Sequence, residues 1–100
     1  MADDDKAGRK RDELQRVATV QEILRRWDPI GVRPGELAPA DEYDSYAAHV
    51  VSIVARGCSF EQLCTHLRGI RVDTIGVEPN PGRDGEVANE ILKVLRDMAV

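Results

Sequence analysis

Residues 59–70 read Ser59-Phe60-Glu61-Gln62-Leu63-Cys64-Thr65-His66-Leu67-Arg68-Gly69-Ile70, the cleanest amphipathic segment in the chain. Phe60, Leu63, Cys64, Leu67 and Ile70 recur at steps of three and four, so a 3.6-residue helix gathers them on one face. Ser59 with Gln62 three residues on is the pattern of a capping box, in which each side chain satisfies a first-turn backbone N–H. A helix therefore starts at Ser59.

Working back from it, Gly57 is a good C-terminal stop for a preceding helix. That helix is predicted from Asp41 to about Arg56, with Tyr43, Tyr46 or Ala47, Val50 and Val54 as its buried stripe and Val51 and Ile53 widening it. Asp41 can accept from first-turn amides, and Glu42 and Asp44 favour the positive end of the helix dipole. Residues 28–40 carry three prolines and two glycines and read as a loop, with Pro34-Gly35 a turn signal. So long a loop either packs through Ile30, Val32 and Leu37 or has a task of its own. Before it, Leu14, Val17, Val20, Leu24 and Trp27 mark a first helix from about Lys10 that Pro29 ends. Residues 1–9 are polar and read as a disordered leader.

Working forward, residues 71–85 read as a second irregular connection, because Gly76 and Pro79-Asn80-Pro81-Gly82 interrupt any long helix. A strand over Arg71–Val77 is the alternative, but a single strand has no sheet to join. A last helix, roughly Gly85–Met98, buries Val87, Ile91, Leu95 and Met98, with Val94 alongside. None of these helices can bury its stripe alone. The expectation is one all-α domain over residues 10–100, a compact bundle of about four helices with two long irregular connections.

Composition narrows function by class. The chain has 100 residues, 42% hydrophobic and 32% charged, with a formal net charge of −4. An acidic balance opposes general nucleic-acid binding, which needs a basic face to displace counterions. The charge is uneven: residues 1–33 hold eight Lys or Arg against seven acids, and 34–100 hold six against eleven. No apolar run reaches the roughly 18 residues of a membrane span. The polar, acidic Met1–Lys6 is unlike a secretory signal. Two cysteines suit a reducing compartment, and cytoplasm is the expected location.

No constellation of chemistry stands out. Cys58, Cys64, His66 and His49 lack paired zinc-ligand spacing, and Cys64 and His66 point about 200° apart on their helix, Cys64 toward the core and His66 outward. No base is oriented on either cysteine, and there is no serine elbow or phosphate loop. The residues argue against catalysis and call for no cofactor. Asp28, Asp41, Glu42 and Asp44 bracket one loop and converge if the first two helices pack antiparallel. They serve either as caps or as a site for a divalent cation or small molecule. Trp27, Tyr43 and Tyr46, three of the four aromatics, gather at the same joint, either as a mini-core or as a recognition surface.

Trp27-Asp28-Pro29-Ile30-Gly31-Val32, then Asp41-Glu42-Tyr43-Asp44-Ser45-Tyr46, then Gly76 after the third helix, resemble the YugE-like family, small helical bacterial proteins of unknown function. The resemblance covers roughly residues 20–78. It implies a bacterial, cytoplasmic, all-helical domain with no established enzyme activity, and it pairs the Asp28 loop with the Asp41–Asp44 helix start. Relatives of this kind are associated with immunity or accessory roles.

The expected function is therefore a non-enzymatic protein-interaction module, its partner a protein. The candidate surface is Trp27, Asp28, Pro29, Gly31, Asp41, Glu42, Tyr43, Asp44 and Tyr46. The alternative is small-molecule or divalent-cation binding at Asp28, Asp41 and Asp44. Self-association through an exposed helix stripe is a third class.

Overall fold

A computed structural model describes residues 2–29, 31 and 43–98, with side chains from Arg11 onward. Four α-helices carry the fold among them: α1 (Ala2–Trp27), α2 (Ala47–Ala55), α3 (Phe60–Gly69) and α4 (Pro81–Met98). A 3-10 turn, Asp44–Tyr46, leads into α2, and a π-helical turn, Ile70–Ile75, prolongs α3. The all-α bundle expected from the apolar periods is the fold.

The direction of each helix follows from its neighbours. Arg25, late in α1, pairs with Asp44 just ahead of α2, while Arg16 shares a surface notch with Val51, Val54 and Ala55 at the end of α2. Arg26 pairs with Glu90, and Arg83 donates to the Arg26 carbonyl, so the start of α4 lies beside the end of α1. Both α2 and α4 thus run antiparallel to α1. The core between them comprises Val20, Leu24 and Trp27 of α1, Val50 of α2, Leu63 and Leu67 of α3, and Val87 and Ile91 of α4.

The local signals at the α2–α3 turn hold. The Ser59 hydroxyl accepts from the Gln62 N–H at 3.1 Å, and the Gln62 side chain accepts from the Ser59 N–H at 2.8 Å. Gly57 stops α2 at φ +87°, where a side chain would be strained.

Elsewhere the boundaries move. α1 begins at Ala2 rather than near Lys10, so backbone expected in the leader 1–9 is helical. The apolar period marks only the part of a helix that has something to pack on, and therefore does not locate this start. Regular α2 starts at Ala47, after the 3-10 turn, and Asp41 and Glu42 lie outside the described residues, as do Ile30 and Val32–Ala40.

The stretch 71–85 is largely helical, not irregular, and no strand occurs among the described residues. Helix α3 continues as a π-turn that closes at Gly76 (φ +84°), where the Gly76 and Val77 N–H groups both donate to the Arg71 carbonyl. Helix α4 begins four residues earlier than Gly85, at Pro81. The Asn80 side chain accepts from the Arg83 N–H at 3.1 Å, and Pro81 takes the first helical position, where its missing N–H costs nothing. Pro79-Asn80-Pro81-Gly82 is thus a helix start, not a helix breaker.

Two stripe residues are not core. Leu14 is 61% exposed and Phe60 40% exposed. α1 is about 39 Å long at 1.5 Å per residue, and Arg11 to Gln15 along it are all exposed.

Candidate functional site

The candidate site is built where α1 ends. The Asp28 N–H still donates to the Leu24 carbonyl, but Asp28 itself turns left-handed at φ +40°. Aspartate tolerates that region better than most side chains, and Gly31 then donates back to the Asp28 carbonyl to close the turn. The Asp28 carboxylate accepts from the Tyr43 hydroxyl at 2.6 Å, joining the two motif segments across the loop.

Trp27 and Tyr43 are buried, at 3% and 1% exposure, with ring centroids 6.3 Å apart and planes tilted by 58°. They are therefore core, and the recognition-surface reading is corrected for this pair. Tyr46 is half-buried and packs against the same cluster. Asp44 is held by Arg25 through two hydrogen bonds, 2.7 and 3.2 Å. Gly31 is exposed and Pro29 half-buried, while Asp41 and Glu42 fall outside the described residues. The structure thus brings Trp27, Asp28, Tyr43, Asp44 and Tyr46 together, as a joint.

Under that joint lies what sequence reasoning missed. Asp84 and Arg71 are buried, at 2% and 4% exposure, and form an ion pair at 2.7 Å. One Asp84 oxygen also accepts from the Trp27 indole N–H at 2.8 Å, and Arg71 Nε donates to both Asp84 oxygens at 3.1 and 3.2 Å. The guanidinium carbon sits 5.4 Å from the Trp27 ring centre, a cation–π contact in a desolvated place. Helix α1, the π-turn that follows α3, and helix α4 are thereby tied at one point.

A signal for this pair did exist. Arg71 stands four residues after Leu67 and Asp84 three before Val87, so each charge occupies an apolar register of its helix. Ending the third helix at Ile70 and starting the last at Gly85 removed both from view.

Chemically, this centre is saturated. The Asp84 carboxylate already faces a cation and an indole donor, which leaves it poorly placed as a general base. It borders a groove of about 520 Å³ between α3 and α4, with Phe60, Cys64, Pro79 and Gly85 among the lining residues. Burial, then the Asp84 and Glu61 charges, push the Cys64 thiol up from its ordinary value, so it is a poor nucleophile. Burial likewise raises Cys58, against a smaller opposing effect of Arg96. No group of three or more His, Cys, Asp or Glu among the described residues is arranged to hold a metal ion.

His66 is not turned outward as expected. Its ring meets that of His49 edge-on, with centroids 4.7 Å apart, and its Nε2 is buried with no hydrogen-bond partner among the described residues. Burial first, then the charge of His49, holds its pKa below 6.5. A depressed base favours the unfolded chain as a proton acceptor once the pH falls through 6.5, so stability present above that value is lost below it. The urea unfolding midpoint is expected to fall between pH 7.5 and 5.5, and His66→Gln to flatten that slope. A slope unchanged in the variant would assign it to other groups.

No helix among the described residues is long and apolar enough to cross a membrane. No protein-family model, curated protein or solved structure matches this chain.

Proposed function

We propose that the chain is a non-enzymatic protein-interaction module whose contact surface is the exposed arm of α1. The observation that carries this reading is Leu14, 61% exposed in the exposed run Arg11–Gln15 of α1. Its stripe continues into the core at Val20 and Leu24, so a partner helix packed along the arm would extend the existing core. The Trp27–Tyr43 joint supports the arm from inside, by fixing the far end of the same helix. An immunity or accessory protein is one instance of this class. Membership of the YugE-like family, proposed on Trp27–Val32 and Asp41–Tyr46, adds no catalytic residue.

The competing reading is a cation or small molecule at Asp28, Asp41 and Asp44; Asp28 and Asp44 already accept internal donors, and Asp41 lies outside the described residues. The test is a pull-down from host lysate with wild type and Leu14→Asp as baits. Leu14 is exposed enough for the variant to keep its fold, which far-ultraviolet circular dichroism checks. A protein captured by wild type and reduced about tenfold by the variant is the expected result, the size of a single hot-spot contact. Identical captures by both baits would sink the arm as a contact surface.

A further inference from the structure

We propose that His49 of α2 and His66 of α3 form a two-imidazole site for a borderline divalent transition-metal cation of the zinc, nickel and copper class. Two facts support it independently. The rings already touch across the helix pair, at 4.7 Å between centroids. His66 Nε2 is buried and finds no donor or acceptor among the described residues, although a buried polar atom ordinarily has a partner. In the tautomer protonated at Nδ1, that unpartnered Nε2 carries a lone pair that a metal can take.

The surroundings allow the geometry. His49 is exposed, so its ring can leave the edge-on contact and turn a nitrogen toward the same point. Beside the pair is a cavity of about 470 Å³, lined in part by Ser45, Tyr46, Thr65 and Asp73. That space admits water to the remaining coordination positions, and the lining groups can hold such water in place. With two nitrogen ligands and no fixed carboxylate set, the site selects imidazole-seeking cations over calcium or magnesium, which require oxygen cages. Bound metal would staple α2 to α3, and protons would compete with it as the pH falls.

The test is thermal unfolding of the full chain at pH 7.5 with zinc, nickel, magnesium or calcium chloride, up to about 1 mM, read as the change in midpoint. The midpoint is expected to rise by several degrees with zinc or nickel, to return with EDTA, and to stay fixed with magnesium or calcium. His49→Gln, at an exposed position, should fold normally and lose the rise. Cobalt titrated into folded protein, followed by its visible absorption, gives a second reading for His66→Gln that does not depend on stability. No rise in wild type, or a rise or cobalt signal that survives either substitution, overturns the site; a surviving signal would assign the metal to other ligands, such as Cys58 and Cys64.

Discussion

Replacing Asp84 with Asn lowers the unfolding free energy by about 3–5 kcal/mol, read from urea unfolding followed by circular dichroism. The substitution keeps the shape and one acceptor for the Trp27 indole, but it strands the Arg71 guanidinium where only 4% of the residue reaches water. An unpaired buried charge is costly because no solvent compensates it. The pair need not be a strong net stabiliser for this to hold, since desolvation offsets much of its attraction. Hence the double variant Arg71→Met with Asp84→Leu is expected to unfold later than either single charge deletion. Its recovery is limited by the indole N–H left without an acceptor. If Asp84→Asn costs less than about 1 kcal/mol, Arg71 is hydrated and the buried centre is wrong.

Trp27→Ala is the second large effect, at about 3–5 kcal/mol by the same measurement. Trp27 packs on Tyr43, receives Arg71 on its face and donates to Asp84, so its removal opens a cavity and weakens three contacts together. For a domain whose total stability is of the order of 5–15 kcal/mol, that loss can abolish folding at growth temperature. Trp27→Phe keeps most of the volume and is expected to cost only about 1–3 kcal/mol, the penalty of the lost indole hydrogen bond at Asp84. Equal losses in the two variants would mean that the hydrogen bond, not the packing, dominates.

The fold was legible wherever the deciding interaction is local. The stripe from Leu63 to Ile70 and the Ser59–Gln62 box involve residues within a few positions of each other, so periodicity and capping rules apply directly. Legibility failed at element ends. The π-turn at Ile70–Ile75 adds a residue to the turn and breaks the 3.6-residue count, and Pro79–Gly82 carries breakers whose meaning reverses once Asn80 caps and Pro81 leads. Leu14 failed for another reason. It has the correct period for burial, yet among the described residues it is 61% exposed, and its neighbours from Arg11 to Gln15 are exposed too.

The candidate site divides along the same line. That Trp27, Asp28, Tyr43 and Asp44 belong to one joint was readable, because helices on either side of one loop bring their ends together. Whether the aromatics faced inward or outward was not, since a tilted aromatic pair with polar edges suits a core and an interface equally.

By itself, the sequence determined four helices, the turn between the second and third, and that they must pack together, because helical periodicity and capping are properties of neighbouring residues. Only the tertiary structure decided that Arg71 and Asp84 are buried, that Asp84 meets Trp27 from 57 positions away, and that His66 lies against His49. The cost of burying a charge or a lone pair depends on what stands opposite it, and for these residues the opposite group is supplied by another helix.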